Sequence, residues 1–365
     1  MYLAPTPEQQ ELKDAVRRFC QEQVTPERLA VWDKTPTGVD EDCWHMVGQL
    51  GWFGVALPQA AGGSGRGLVE VACVVEECAR GLMPRCVINA IGGALALAYL
   101  DQSSRYLLDV ARGEQTVTVA CDEELARDPA YYRTAVVVEG VNVRLAGQKW
   151  YVPDAGRADL HIVAARENGG LSLVLIRSGD ASITPLRAFD GERQAIVDYD
   201  GVPIEARLTP AGEGVQALRS IQRQRVALAL AEMVGGMDAV LVMTVAYVKE
   251  REQFGQKIGV FQAVQHQVAD MATAFTAARH LAWQAITRTA AGTLQGDELA
   301  TAAAFTGQAF KRLTLTAHHL HGGAGYVLEH PLHYHAERAQ SLCIRYAPEA
   351  PALAEVAARL LDQRG

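Results

Sequence analysis

Tyr247-Val248-Lys249-Glu250-Arg251-Glu252-Gln253-Phe254-Gly255-Gln256-Lys257-Ile258-Gly259-Val260-Phe261-Gln262 is the stretch on which the reading of this chain turns. By composition it is the charged end of a helix stopped by glycine, with Arg251 near the negative end of the helix dipole. A cation there needs no ligand to explain it. Upstream, Val226 to Val248 is the most apolar segment, but Glu232 and Asp238 lie near its middle. A bilayer would accept them only at a cost of several kcal/mol, so the segment reads as a buried bundle helix. Downstream, Val264, Val268, Met271 and Phe275 recur at i, i+4, i+7 and i+11 and mark one buried helical stripe. The chain past Gly214 is therefore expected to be a helical bundle.

Moving toward the N-terminus, the pattern changes. Between Gly113 and Ile204 the runs Thr116 to Val119, Ala135 to Val138, Val141 to Leu145, His161 to Val163 and Leu171 to Ile176 are short, β-branched and separated by turn residues. They predict an antiparallel barrel or sandwich. Before Gly113, helical segments are broken by Leu57-Pro58 and Gly62-Gly63-Ser64-Gly65-Arg66-Gly67. Thr6-Pro7-Glu8-Gln9 is a capping box that opens the first helix, with proline at the first helical position. The expected fold class is α+β and multidomain: an N-terminal α-helical domain (1–115), a central antiparallel β-barrel (116–212) and a C-terminal four-helix bundle (213–365).

Composition narrows the function. The chain has 365 residues, 49% hydrophobic and 21% charged, and a formal net charge of -8, with no Lys/Arg run to attract a phosphate backbone. Neither nucleic acid nor membrane is an expected partner. Seven scattered cysteines without a CxxC pair fit reduced thiols, and the polar start after Met1 lacks a secretory signal, so a cytoplasmic location is expected. Six of the ten histidines fall between His318 and His335, with no HExxH and no i, i+4 pair, so no metal site is expected. The glycines at 63–67 lack the full dinucleotide-fingerprint spacing and a preceding strand, and read as a helix connection.

Arg251, Phe254-Gly255, Ile258 and Phe261-Gln262 together resemble the RxxFGxxI…FQ signature of acyl-CoA dehydrogenases. About sixty residues later Leu320-His321-Gly322-Gly323-Ala324-Gly325-Tyr326 resembles that family's GGxG loop. The resemblance extends to Leu50 to Val55 and Pro58 to Gly65 in the N-terminal part. It also covers Lys149 to Asp154 with Ala158-Asp159 in the middle part, and Asp200-Gly201-Val202-Pro203 at its exit. It implies FAD as cofactor, an acyl-CoA substrate, an electron-transfer acceptor and assembly as dimers of dimers.

Residue by residue, the resemblance implies that Arg251 binds the pyrophosphate of FAD held by a neighbouring subunit, with Phe254 reaching the same cofactor. A guanidinium fork suits two phosphate oxygens. Gln262 and the loop at Gly322 and Gly323 lie along the adenosine, and His319 stands where many relatives carry glutamine. The flavin-facing side departs from the family pattern. Cys121, in Ala120-Cys121-Asp122-Glu123-Glu124-Leu125-Ala126-Arg127-Asp128, replaces the threonine of Thr-Glu-Pro, and the following Gly-Ser is absent. The usual Trp-x-Thr reads Tyr151-Val152-Pro153, and proline offers neither hydroxyl nor N–H.

Family chemistry takes an α-proton from the acyl-CoA with a glutamate while the β-hydrogen leaves as hydride, giving an enoyl-CoA. Counting from the GGxG loop puts Tyr346, in Arg345-Tyr346-Ala347-Pro348, in the usual glutamate position. The alternative position falls at Arg225. Glu349 reads as the start of the last helix after Pro348. The expectation is a hetero- or homotetrameric subunit whose related, glutamate-bearing partner supplies the base. The alternative is a self-sufficient homo-oligomeric flavoenzyme with a non-standard base or altered chemistry on a CoA- or carrier-bound acyl group.

Overall fold

A computed structural model describes residues 4–140 and 142–347, with 354 and 357. Val141, Pro348 and Glu349 lie outside the described residues. In chain order the helical N-terminal region comprises α1 (Pro7–Gln23), α2 (Pro26–Trp32), α3 (Glu41–Gln49), α4 (Leu68–Arg80), α5 (Arg85–Leu100) and α6 (Leu107–Arg112). The central strands are β1 (Val117–Ala120), β2 (Ala135–Glu139), β3 (Asn142–Ala146), β4 (Gln148–Pro153), β5 (Leu160–Glu167), β6 (Gly170–Arg177), β7 (Ser182–Arg187), β8 (Arg193–Asp198) and β9 (Ala206–Arg207). Then follow α7 (Val215–Glu250), the hairpin β10 (Glu252–Gln253) and β11 (Gln256–Lys257), α8 (Gln262–Ala290), α9 (Glu298–His321) and α10 (Leu332–Tyr346). By contacts the chain gathers into two compact units, one formed by Met1–Leu29, Leu68–Met83 and Arg223–Gly365, the other by Ala30–Gly67 and Pro84–Gln222.

In the first unit, α1 begins as its sequence dictates: Thr6 Oγ1 accepts from the Gln9 N–H while the Gln9 side chain accepts from the Thr6 N–H. The helix is tied to α4 by a buried ionic cluster. Lys13 Nζ lies 2.6 Å from Glu76 and 3.4 Å from Glu77, Arg17 forks onto Glu77, and Trp283 of α8 donates to Glu76 at 2.8 Å. α7 approaches on a glycine pair. A Cβ on Gly235 would stand 1.9 Å from the Glu76 carbonyl oxygen, and one on Gly236 would stand 2.5 Å from the Phe310 ring of α9. Only hydrogen fits at these two positions.

α7 is long and apolar enough to cross a membrane by length and composition, and 67% of its most apolar window is buried inside the protein. Glu232 is buried within it and Asp238 pairs with Arg80 of α4, so it serves as the core helix of this unit. Along α8, Met271 is buried and Val264, Val268 and Phe275 are half-buried, so the expected stripe is present but less covered than its periodicity suggests.

The second unit is built on a six-stranded sheet in the order β3-β2-β5-β6-β9, with β1 also on β5, and on a three-stranded sheet β4-β8-β7. The two sheets close over one apolar cluster that includes Leu145, Val152, Val163, Val174, Val197 and Tyr199. The opposite face of the larger sheet packs Ile162, Leu173 and Leu175 against Leu97, Leu107 and Val110 of α5 and α6. Most pairings are antiparallel as expected, but β1 and β2 meet β5 in parallel. Both reach β5 only after an intervening excursion of chain, the long connection that parallel pairing requires. The glycine-rich run 62–67 lies in the connection between α3 and α4.

Candidate functional site

The residues expected around the cofactor fall into two groups, one in each unit. In the bundle unit, α7 ends at Glu250 and a two-residue turn closes β10 onto β11. Phe254 and Gly255 both have positive φ, 55° and 77°, the type I′ geometry that matches the twist of a tight hairpin. Glycine takes this conformation freely. Phenylalanine takes it under strain, and the turn leaves its ring 91% exposed. The backbone around Arg251 is fixed, its N–H donating to the Tyr247 carbonyl at 2.8 Å and its carbonyl accepting from Ile258 N–H at 2.9 Å, while its side chain is exposed. Gln262 is exposed at the first position of α8, whose N-terminus has no side-chain cap.

The glycine turn Gly322–Tyr326 follows α9. Gly322 has φ 57° and ψ -141°, a region open essentially to glycine alone. A Cβ on Gly325 would stand 2.9 Å from the His321 Cβ, whereas one on Gly323 would meet nothing within 4 Å among the described residues. Gly325 therefore serves packing, and Gly323 presents bare backbone to open space. His319 is exposed beside them. Hairpin and turn are joined through Tyr247, whose ring stacks on His321 at 4.3 Å and 22° and whose hydroxyl donates to the His321 carbonyl at 3.1 Å. This link escaped the sequence reading, although Tyr247 stands one helical turn before Arg251.

In the same unit, Tyr346 and Arg225 come together. The guanidinium of Arg225 lies 5.8 Å from the centre of the Tyr346 ring, and that of Arg345 lies 5.3 Å from it. Both side chains at the two expected base positions are half-buried, and the pair they form is a cation-π contact, not an acid-base pair. Glu329 is exposed in the segment after the glycine turn.

In the β unit, Cys121 is 2% exposed and belongs to the apolar cluster under α5 and α6. Pro153 is buried, and its carbonyl accepts from Thr118 Oγ1 at 2.6 Å. Tyr151 is exposed at φ 56°, on a bulge between Lys149 and Val152 where the β4–β8 register shifts. Next to them Glu123 accepts from Arg133 N–H at 2.7 Å, Thr134 N–H at 2.9 Å and Lys149 Nζ at 2.9 Å. Lys149 is fully buried, with its ammonium 3.9 Å from the centre of the Tyr132 ring. Burial pushes the Glu123 carboxyl up, and the Lys149 ammonium with the two N–H groups outweighs this and holds it below its ordinary 4.5. Burial likewise pulls Lys149 below its ordinary 10.5 against the pull of Glu123. Sequence reading took residues 120–128 only as a departure from the family's flavin-facing pattern and missed this pair.

The two groups differ in what they offer a dinucleotide. Arg251, the uncapped start of α8 and the bare backbone at Gly323 fit a diphosphate and its adenosine, because each presents donors or space outward. Pro153 offers neither hydroxyl nor N–H, and Cys121 is buried with a thiol in place of a hydroxyl. Among the described residues no group of three or more His, Cys, Asp or Glu is placed to hold a metal ion, and the ring contacts of the C-terminal histidines are with Tyr247, Tyr326, Tyr334 and one another.

Comparison with known proteins identifies the family. Residues 6–114 match the family description "Acyl-CoA dehydrogenase, N-terminal domain" and residues 212–360 match "Acyl-CoA dehydrogenase, C-terminal domain". An acyl-CoA dehydrogenase of Bacillus subtilis (strain 168) is 27% identical over 350 residues, spanning 90% of this chain and 91% of the relative. Among solved structures, a Tcur3481-Tcur3483 steroid ACAD variant superposes with a TM-score of 0.88 at 28% identity, covering 98% of both chains. The ChsE4-ChsE5 complex from Mycobacterium tuberculosis superposes with a TM-score of 0.89 at 25% identity, covering 99% of both chains. This chain belongs to the acyl-CoA dehydrogenase family, the FAD-dependent oxidoreductases that act on CH–CH bonds.

Proposed function

We propose that this chain is the half-site subunit of a cytoplasmic hetero-oligomeric acyl-CoA dehydrogenase, paired with a related chain that supplies the glutamate base and the better flavin pocket. The observation that carries this is an asymmetry between the residues expected to hold the dinucleotide and those expected at the flavin and base positions. The Arg251–Phe254 hairpin and the glycine turn face outward, whereas Cys121 and Pro153 are buried and Tyr346 and Arg225 hold each other. In this reading Arg251 forks onto the diphosphate of FAD bound mainly by the partner, Phe254 packs against that cofactor, and Gly322 and Gly323 admit the adenosine. When bound, FAD accepts the electrons and the β-hydrogen released as the acyl chain is desaturated. The partner's carboxylate takes the α-proton, since neither base position here carries one.

The substrate we infer is a bulky acyl-CoA thioester such as a steroid side chain. Support comes from the two structural neighbours, one named for a steroid ACAD and both named for pairs of chains. The test is to purify the chain alone and with a glutamate-bearing relative encoded beside it, then measure subunit ratio, flavin absorbance and acyl-CoA dehydrogenation. The expected result is an equimolar complex, with the chain alone slower by the ~100- to 10,000-fold that a general base contributes. Full activity from the pure homo-oligomer would overturn the proposal.

One observation favours a second reading. Tyr346 occupies the usual base position, and its ring stands within cation-π reach of the Arg225 and Arg345 guanidiniums. If Tyr346 is the base, the homo-oligomer is active and Tyr346→Phe abolishes that activity. The substitution keeps the ring that both guanidiniums contact.

A further inference from the structure

His321 is 2% exposed and sits where α9 gives way to the glycine turn. Its Nδ1 lies 2.8 Å from the Ala317 carbonyl, which only accepts, so the neutral ring carries its proton there. The other nitrogen, Nε2, is buried and has no partner among the described residues. One face of the ring stacks on Tyr247, and the His330 ring stands 4.9 Å away at 67°. Tyr247 in turn accepts the Arg251 N–H through its carbonyl and donates its hydroxyl to the carbonyl of His321, immediately before Gly322. At the far end of the turn, Tyr326 packs edge-on to His318 at 4.8 Å. One ring stack thus joins the two elements expected to hold the dinucleotide.

We propose that His321 is a positioning residue that must stay neutral: the Tyr247–His321–His330 stack holds the glycine turn in register with the Arg251 hairpin, which gives flavin retention an acid limit. The proposal rests on the reading of hairpin and turn as the FAD-holding elements. A proton added to Nε2 would place a charge where, among the described residues, no acceptor waits and the facing titratable groups are imidazoles and a phenol. These are His318 from the same helix, Tyr247 from α7, His330 from the segment before α10 and His333 from the first turn of α10. Burial first, then the neighbouring imidazoles, hold both His321 and His330 below the ordinary 6.5; the Ala317 carbonyl opposes this at His321. The folded state therefore binds fewer protons than the unfolded one between 6.5 and the depressed values. The contribution is complete above that window and is lost as pH falls through it.

The test compares the parent complex with His321→Phe, which keeps a stacking ring without a titrating nitrogen, and with His321→Ala, which removes the ring. Flavin released on gel filtration is measured from pH 8 to pH 5, together with the thermal unfolding midpoint. The parent should lose flavin as pH falls below histidine's ordinary value, His321→Phe should lose it only at lower pH, and His321→Ala should lose it already at pH 8. An acid midpoint in His321→Phe equal to the parent's, or full retention by His321→Ala, would refute the proposal. A parent complex that carries no flavin at all refutes the reading of hairpin and turn. The stack is then read from the unfolding midpoint alone, whose acid decline must flatten in His321→Phe, and parallel profiles would overturn it.

Discussion

The hairpin at Arg251 and the turn at Glu123 both carry charged side chains, yet they use them in opposite ways. At the hairpin, backbone hydrogen bonds fix the chain and leave Arg251 and Phe254 pointing outward, so the side chains remain available to a ligand. At Glu123, two N–H groups and an ammonium converge on one carboxylate and satisfy one another. The exposed tip of that loop is Leu125, at 97%. The lesson is that a motif's residue types do not reveal whether its polar groups serve the fold or a ligand. The partners of each group do, and here one half is directed outward and the other inward.

The sharpest way to break this comparison is Glu123→Gln. If the pair serves the fold, the change leaves Lys149 buried and uncompensated, a loss of about 3 to 5 kcal/mol in unfolding free energy. Denaturant unfolding of the purified complex measures it. The contribution also has a pH signature. Because the folded carboxyl lies below its ordinary 4.5, the stabilisation is whole above that value and disappears as pH falls through the depressed one. A Glu123→Gln protein as stable as the parent would place the pair in ligand binding and remove the contrast.

Arg251→Ala should do the reverse. Its side chain is exposed, so stability should change by no more than about 0.5 kcal/mol. Flavin affinity of the complex should fall by roughly 1.5 to 3 kcal/mol, about tenfold to more than a hundredfold, for one charge-assisted pair left unmade. Flavin titration of the apo complex checks the second figure. Tight stoichiometric flavin in the isolated chain, indifferent to this substitution, would show that the two halves are not divided as described.

Much of this was legible before any coordinates. The capping box at Thr6, the core role of α7 and the strands β1, β2, β3, β5 and β6 follow from local patterns that tertiary structure leaves intact. The smaller sheet was harder to read because its strands hide their period. β7 carries Pro185 and is mostly exposed, which only an edge strand permits, and β4 is bulged between Lys149 and Val152, which shifts the alternation. In the site, Arg251, Phe254 and the glycines stood out because their spacing is local. The Glu123–Lys149 pair spans 26 positions and the Tyr247–His321 contact spans 74, so no window along the chain contains them. The histidines were visible as a cluster but legible only as a failed metal set, since stacking leaves no spacing rule.

The smallest effect, and the finest probe of the contrast, is expected at Cys121 and Pro153. Cys121 is buried in an apolar cluster, so Cys121→Ser replaces its thiol by a smaller, more polar hydroxyl in apolar surroundings. Pro153 already engages its carbonyl with Thr118 and pairs with Gln194 across the ladder, so Pro153→Thr adds an N–H and a hydroxyl to a strand held from both sides. Both side chains are buried in the parent, and neither substitution removes a hydroxyl or an N–H. Each should therefore change flavin affinity of the complex by less than about threefold, or ~0.7 kcal/mol, even where it lowers stability. The two readouts must be taken on the same preparations, because a destabilised variant sheds flavin for reasons unrelated to contact. A tenfold change at either position with the unfolding midpoint unmoved would mean that the β half of this chain touches the cofactor after all. The division between an outward and an inward half would then have to be redrawn.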